Sequence, residues 1–453
     1  MARDLTQGKP FKQMLLFSLP ILLGNLFQQM YGMVDTVIVG RYLGANAMAA
    51  VGATGSVNFF IMGFVQGVTS GFAIRTAQAF GSGDEALVRR SVRSCMILSV
   101  ALTVIMTLLS VPFLRPLLKL MQTPEDLIEY STLYIQIICG GMFSAIFYNM
   151  ISAILRALGD SKTPLLFLIV SATLNIFLDI LLIAVFRMGV DGAALATIIA
   201  QTLSATMCLI YGLKRCKYLH TASEKKNITF AFLKEHLVIG LPMGLQFSVT
   251  AVGSMMLQSA FNLFGTVGAT AYAVASKVEA LSMQTGTALG VTMANYVGQN
   301  LGAKRYDRIA RGIRCAIVVG LLASVLAAVI NLGFGESLMG LFFAGEISPE
   351  ISVYAKQYLL ITTFFFPCLM FIFIFRNSLQ ALGEKVAPML GGVIELIARV
   401  SVSIILPRYI GYAGACLAPC AAWFGAGAWT FARYMFIERG WRKYGMIREQ
   451  ADA

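Results

Sequence analysis

The stretch LRALGDSKTP, residues 155–164, recurs as LQALGEKVAP, residues 379–388, at an offset of 224. Other segments recur near this spacing and in the same order: Leu19-Pro20 with Leu241-Pro242, Tyr130 and Tyr134 with Tyr354 and Tyr358, and Gly189-x-x-Gly192 with Gly411-x-x-Gly414. Ordered matches at one spacing indicate an internal duplication. The sequence therefore predicts two related halves.

The duplicated chain is strongly apolar. It has 453 residues, of which 58% are hydrophobic and 13% are charged, too few polar groups to cover a soluble protein. A span crossing about 30 Å of hydrocarbon needs roughly 20 apolar residues. Such runs lie at 12–36, 47–74, 94–114, 127–155, 164–186 and 190–213, and at 236–263, 268–297, 315–334, 354–378, 386–406 and 410–436. We expect an all-α integral membrane protein with twelve transmembrane helices.

Six spans per half return the chain to its starting side, so the halves run parallel as two six-helix repeats. Most Lys and Arg residues fall on the side of the termini, which places both termini in the cytoplasm. The other side carries Arg41, Arg115, Lys119, Arg187 and Arg408. We predict an N-terminal lobe at 1–213, a cytoplasmic loop at 214–235, and a C-terminal lobe at 236–453 with a short basic tail. Parallel repeats are typical of some secondary transporters.

Composition and motifs argue against other classes of protein. The net charge of +13 is spread over short loops, so no nucleic-acid surface is expected. The eight cysteines form no C-x-x-C pair, and only two histidines are present. No P-loop or G-x-S-x-G motif occurs. We expect a monomer in the plasma (cytoplasmic) membrane, neither an enzyme nor a cofactor-binding protein.

Carboxylates inside apolar runs are the first functional candidates, because an ionised group in hydrocarbon needs a protein or water partner. Asp35 lies in the first span and Asp179 in the fifth. Gln28 and Tyr31 precede Asp35 at helical spacing and share its face.

Two further pairs of polar residues follow helical spacing. Asn175 and Asp179 share a face of the fifth span, and Thr197 and Gln201 share a face of the sixth. Carboxylate, amide and hydroxyl oxygens suit a hard cation such as sodium, and carboxylates in a poorly solvated pocket suit protons. Both ions stay open at this point.

The second half lacks this acidic cluster. Glu395 and Arg399, four residues apart, predict a structural intrahelical ion pair. Glu279 in the eighth span is a second cation-attracting candidate. Glycines four residues apart predict close helix packing: Gly63, Gly67 and Gly71 in the second span, and Gly286 and Gly290 in the eighth.

Together, Leu-Pro in the first and seventh spans, Asp35, the repeated Leu-x-Ala-Leu-Gly-acidic segments and Gly298-Gln-Asn-Leu-Gly-Ala303 resemble the multidrug and toxic compound extrusion (MATE) family over essentially the whole chain. The first-half site is similar to that of the DinF-like branch. Unlike the NorM-like branch, the seventh span has no glutamate after Leu241-Pro242.

The resemblance implies roles for individual residues. The cation-coupling residues would be Asp35, Asn175, Asp179 and Thr197, a possible sodium site, and Pro20 would bend the first helix during the cycle. Pocket residues would be Gln28, Tyr31, Tyr134 and Asn149, and we add Gln201 and Glu279 as pocket candidates.

We therefore expect a secondary active multidrug efflux antiporter that exports amphipathic organic cations in exchange for sodium ions or protons by alternating access. One alternative is a flippase for lipid-linked oligosaccharides, which would favour a basic central cavity over carboxylates. Another is a receptor or scaffold without transport. Movement of a fluorescent cation into sealed vesicles separates transport from the scaffold alternative.

Overall fold

The computed structural model describes residues 4–120, 123–220, 228–340 and 348–447, and over these ranges it is helical without a β-strand. The first half contains α1 (Pro10–Leu43), α2 (Ala45–Ala53 and Gly55–Gly81), α3 (Glu85–Ser110), α4 (Glu125–Gly140 and Met142–Ala157), α5 (Lys162–Asp179) and α6 (Val190–Arg215). The second half contains α7 (Phe230–Asn262), α8 (Gly265–Gly302), α9 (Tyr306–Ala328), α10 (Pro349–Phe364 and Phe366–Ala381), α11 (Val386–Ile405) and α12 (Tyr412–Lys443). These elements follow the predicted spans one for one.

Length and hydropathy fit the membrane assignment. Within the described ranges, nine helices are long and apolar enough to cross a bilayer, and the bent pairs α4 and α10 raise this number to eleven. The remaining element is α8, which carries Lys277 and Glu279. Its polar side chains lower its hydropathy, although its position in the repeat is that of a span.

The fourth and tenth spans are bent, which the sequence did not predict. α4 bends by 47° at Gly141 and α10 by 48° at Phe365, two positions separated by the repeat offset of 224. A Cβ atom on Gly141 would clash with the Ile198 side chain, so α6 approaches the main chain at this bend. In α10, Pro367 follows the break and lacks an N–H group to continue the helical hydrogen bonding.

The repeated segment forms the same turn in both halves. The main-chain N–H of Asp160 donates to the carbonyl of Leu155 at 2.8 Å, and Glu384 makes the equivalent bond at 3.0 Å. Gly159 and Gly383 precede these residues with φ values of 90° and 86°. A left-handed glycine followed by such a bond is a common helix C-terminal motif. The duplication seen in the sequence is thus a duplicated helix–turn–helix.

The chain forms two compact units, and two helices are shared between them. The first unit comprises residues 1–4 and 23–245, and the second comprises 5–22 and 246–453. α1 therefore begins in the second unit and continues in the first, whereas α7 begins in the first and continues in the second. The lobes predicted at 1–213 and 236–453 stay a prediction. Part of the predicted loop, 221–227, lies outside the described residues, as do the ends 1–3 and 448–453.

Close packing of α2 against the start of α7 organises the first unit. A Cβ on Gly71 would lie 2.5 Å from the Cα of Gly240, and one on Gly67 would lie 2.6 Å from the carbonyl oxygen of Met243. No side chain fits at either position, which agrees with the predicted packing role. Gly63 is also buried. The glycines set the distance between the two main chains.

In the second unit, the glycines of α8 receive side chains from α10. A Cβ on Gly286 would lie 2.5 Å from the ring of Phe373, and one on Gly290 would lie 2.6 Å from the amide of Asn377. The predicted packing face is therefore present in both halves. The glycines of α2 pack against main-chain atoms, and those of α8 pack against side chains.

Candidate functional site

Six of the predicted site residues line one cavity inside the first unit. This cavity of about 40 Å³ is formed by α1, α4, α5 and α6. The predicted residues that line it are Gln28, Tyr31, Asn149, Asn175, Thr197 and Gln201. The other lining residues are Ala145, Tyr148, Leu168, Ser171, Ala172 and Ala200. All twelve are uncharged, so any charge at this site comes from residues behind its wall.

The two leading carboxylates meet in the same unit. Asp35 is 8% exposed and Asp179 is fully buried, and their carboxyl groups lie close enough to interact directly. A carboxylate only accepts hydrogen bonds, so a direct bond between the two groups would require a proton on one of them. Without that proton, the pair would place two like charges side by side in a buried region.

One oxygen of this pair has no donor. Asp35 Oδ1 is buried and, among the described residues, has no hydrogen-bond partner. A buried acceptor that stays unpaired costs about 1–3 kcal/mol, and more when it is charged. A cation or a proton would satisfy this oxygen, so Asp35 is a candidate ligand of an ion site.

Neutral oxygen ligands lie on the helices beside the carboxyl pair. The amide of Asn175 donates to Thr197 Oγ1 at 3.4 Å, and Thr197 Oγ1 also bonds to the Ala193 carbonyl at 3.2 Å. Asn175 lies one helical turn before Asp179, on the same face of α5. Carboxylate, amide and hydroxyl oxygens are the ligands that hard cations accept, so this donor set fits sodium as well as a proton.

Asp179 is the last residue of regular α-helix in α5. A π-helical turn, Ile180–Val185, follows it. Such turns insert an extra residue into a helix and occur frequently at functional sites. The turn changes the direction in which side chains after Asp179 project, and sequence spacing gave no indication of it.

Tyrosine and glutamine side chains lie at the cavity and near the carboxyl pair. Tyr31 and Gln201 both line the cavity, and Ser144 Oγ donates to Gln201 Oε1 at 3.4 Å. Tyr134 is 8% exposed and lies close enough to Asp35 to interact electrostatically with it. Tyr134 is thus adjacent to the carboxyl pair, although it does not line the cavity.

Sequence reasoning missed two polar residues of this site. Ser171 lines the cavity one helical turn before Asn175, and Ser144 holds Gln201. The spacing of Ser171 was a usable signal, since four residues place it on the Asn175 face. Nothing in the sequence marked Ser144.

Glu279 belongs to a different environment, in the second unit. Its Oε2 accepts a hydrogen bond of 2.7 Å from the Tyr358 hydroxyl. Tyr272 packs on Tyr358 with ring centroids 5.4 Å apart. Glu279 does not line the described cavity, and its pocket role stays a prediction.

The predicted Glu395–Arg399 pair is present and includes a third residue. Glu395 accepts 2.8 Å from Arg399 and 2.7 Å from Arg376 of α10, and the three side chains are 7–10% exposed. Arg376 was not singled out in the sequence. The arrangement is a buried Arg–Glu–Arg triad that ties α10 to α11.

Pro20 lies near the point where α1 changes units. α1 is continuous from Pro10 to Leu43, so the helix runs through Pro20. The change from the second unit to the first falls between Leu22 and Leu23. Gln28, Tyr31 and Asp35 therefore lie on the part of α1 that belongs to the first unit.

A duplicated bundle of membrane-length helices, with paired carboxyl groups and a polar cavity inside one unit, defines a polytopic membrane transporter. The MatE family profile matches residues 20–181 and 242–405, one segment in each half. The chain belongs to this family.

Known proteins support the assignment over nearly the full length. The chain is 28% identical over 451 residues to the probable multidrug resistance protein YpnP of Bacillus subtilis (strain 168), covering 97% of this chain and 100% of that protein. It is 26% identical over 456 residues to the probable multidrug resistance protein NorM of Thermotoga maritima, covering 97% and 95%. The crystal structure of a MATE protein in complex with MaL6 is similar, with a TM-score of 0.90, 22% identity and coverage of 97% and 99%.

These similarities confirm several predictions. The protein is an all-α, multi-pass membrane transporter of the MATE multidrug efflux family, with the twelve-helix fold, and is not an enzyme. Its family transports small organic compounds across a membrane. The orientation of the termini and the DinF-like branch stay predictions.

Proposed function

We propose that the protein exports amphipathic organic cations in exchange for sodium ions or protons, with Asp35 and Asp179 as the coupling pair. The observation that carries this proposal is the proximity of the two buried carboxyl groups, together with the unpaired Oδ1 of Asp35. Such a pair changes its energy strongly when a cation or proton arrives or leaves.

The electrostatic size of this change is sufficient to bias a conformational equilibrium. Two like unit charges about 4 Å apart interact by about 4 kcal/mol at an effective dielectric constant of ~20. Loss of the ion therefore favours states in which α1 and α5 separate or admit water. Binding of the ion favours the paired arrangement, and this difference couples ion movement to the transport cycle.

The cavity volume supports a cycle in which the ion and the substrate occupy this region in different states. A volume of about 40 Å³ holds a small ion with a few water molecules, whereas drug-sized ligands occupy pockets of roughly 300–1,000 Å³. A substrate would therefore enter this region only after α1 moves away from α4, α5 and α6. We propose Gln28, Tyr31, Asn149 and Gln201 as substrate contacts in that opened state, with Tyr134 near the ion.

The lining of the cavity gives no support to the flippase alternative. None of its twelve lining residues is a lysine or an arginine. A pocket for lipid-linked oligosaccharides with phosphate groups would favour basic residues. The basic-loop distribution further supports cytoplasmic termini, and we propose a monomer as the working unit.

The test is ethidium movement in proteoliposomes under a sodium gradient and, separately, a proton gradient. Asp35→Asn and Asp179→Asn should abolish gradient-driven movement, whereas Asp126→Asn, an exposed carboxylate at the start of α4, should leave it unchanged. Full activity in both site variants would move coupling elsewhere. Inactive unaltered protein would refute this substrate class.

A further inference from the structure

The segment before α1 is firmly bound, although it is not helical. We call Leu5–Gly8 the N-terminal strap; Leu5 is fully buried. The Leu5 N–H donates to Gln299 Oε1 at 2.9 Å, and the Asn300 amide donates to the Leu5 carbonyl at 3.2 Å. Gly8 has a φ of 71°, a conformation that favours glycine.

Arg308 of α9 holds the strap through its main-chain carbonyls. Its guanidinium donates to Gly8 at 2.7 Å, to Gln7 at 3.0 Å and to Leu5 at 3.1 Å. A fourth bond of 3.1 Å reaches Asn300 Oδ1. Arg308 is 6% exposed, and within the described ranges it forms no ion pair.

This arrangement makes Arg308 and the strap depend on each other. A buried guanidinium is costly unless its donors are satisfied, and here four neutral oxygens satisfy them. Three of the four belong to the strap. Detachment of the strap would leave a buried cation without three of its four acceptors, so the attached state is strongly preferred.

The cradle for the strap is built from the Gly298-Gln-Asn-Leu-Gly-Ala303 motif, which the proposed transport site does not use. Gln299 and Asn300 are both fully buried at the end of α8. Asn300 is fixed by a 2.8 Å bond to the Tyr296 carbonyl, and the Tyr296 hydroxyl donates to the Arg308 carbonyl at 3.0 Å. The motif thus positions two amide side chains for the strap.

The strap holds the start of a helix that carries the ion-site residues. Residues 5–22 belong to the second unit, whereas residues 23–43, with Asp35, belong to the first. An α1 with a free start would shift as one body when an ion reaches Asp35. An α1 with a fixed start must deform between its two parts, near Pro20, where one helical hydrogen bond is missing.

The start of α7 is attached in a comparable way within the first unit. His236 and Ser91 form a hydrogen bond of 2.9 Å, and Glu235 pairs with Arg75. The two helices that change units are therefore both fixed near their N-terminal ends.

We infer that the N-terminal strap is an anchor that must stay bound to Gln299, Asn300 and Arg308 for ion binding at Asp35 to drive transport. The inference rests on the proposed function, since it assigns the strap a role in the same coupling step. It predicts that strap release uncouples the transporter: substrate still moves down its own gradient, but an ion gradient no longer drives it.

The first measurement is thermolysin cleavage at Leu5, followed by intact mass in detergent. Arg308→Ala should accelerate cleavage by about tenfold or more, because it removes the donors to three strap carbonyls. The matched control is Arg311→Ala, one turn later on α9. Arg311 pairs with Asp307 and is half exposed, so its removal should leave cleavage within about twofold.

The second measurement compares gradient-driven and downhill ethidium movement in proteoliposomes. Arg308→Ala should lower gradient-driven movement by about tenfold or more while downhill movement stays within about twofold. A second variant, deletion of residues 2–8 combined with Arg308→Leu, removes both partners and avoids an unpaired buried charge. It should show the same uncoupling.

The outcomes separate this inference from the proposed function. The anchor inference alone is overturned if Arg308→Ala leaves the cleavage rate unchanged. It is also overturned if the strap is released while gradient-driven ethidium movement is unimpaired. Failure of the unaltered protein to use either gradient overturns the proposed function, and the coupling role of the strap with it. The thermolysin assay still shows in that case whether Arg308 holds the strap. Uncoupling in both strap variants with normal Arg311→Ala supports the anchor.

Discussion

We predict that Glu395→Gln lowers the free energy of unfolding by about 3–5 kcal/mol, the usual cost of removing one partner from a buried ion pair. Glu395 pairs with two guanidinium groups at 2.7 and 2.8 Å, and the three side chains are at most 10% exposed. Glutamine keeps the shape but removes the charge, so Arg376 and Arg399 would remain buried as two neighbouring cations. Unfolding by SDS in mixed micelles, followed by circular dichroism, measures the difference.

The matched control is Glu384→Gln. Its partner Arg433 donates at the same 2.8 Å, but the two side chains are 26% and 36% exposed. An exposed pair contributes at most about 1 kcal/mol, so this variant should be nearly neutral. Equal effects of the two substitutions would refute burial as the source of the difference. Replacement of the whole triad by Met, Leu and Met should cost far less than Glu395→Gln alone.

Three further results are expected from the same unfolding assay. Gly71→Ala should lower the free energy of unfolding by about 1–3 kcal/mol, because its Cβ would lie 2.5 Å from a main-chain atom of α7. Gly32 has open space around it, so Gly32→Ala should raise the free energy of unfolding by about 0.5–1 kcal/mol. A change in the same direction for both variants would contradict the packing argument. Gly383→Ala should cost about 1–2 kcal/mol at its φ of 86°, and a neutral result would mean that the turn relaxes. Tyr358→Phe removes the donor to Glu279 and should lower the free energy of unfolding by about 1–3 kcal/mol, with ion-driven transport unchanged. Loss of ion-driven transport in this variant would instead assign Glu279 to the ion pathway.

The general architecture was accessible from the sequence because hydropathy and repetition are local or periodic signals. The repeated segments at 155–164 and 379–388 form the same turn, and all twelve spans appear in order. The bends at Gly141 and Phe365 were missed because they depend on neighbouring helices and on how Pro367 is placed. The sharing of α1 and α7 between units was also missed, since helix periodicity contains no information about which unit a helix joins.

The candidate site was partly accessible for the same reason. Side chains at helical spacing, such as Asn175 and Asp179, can be assigned to one face from their spacing alone. Ser144 was missed because its position beside Gln201 depends on the contact between α4 and α6. Arg376 was missed because an arginine near the end of an apolar run also fits an interfacial position, and its partner lies on another helix.

The strap also imposes an order on synthesis of the protein. The Leu5 N–H and its acceptor Gln299 are 294 residues apart in the chain. At ~5–20 residues per second, the ribosome needs roughly 15–60 s to make the acceptor after the strap has emerged. During this interval the first helix can insert into the membrane, but its start has no binding site. The last step of assembly of α1 is therefore post-insertional, and it waits for the α8–α9 hairpin to be made.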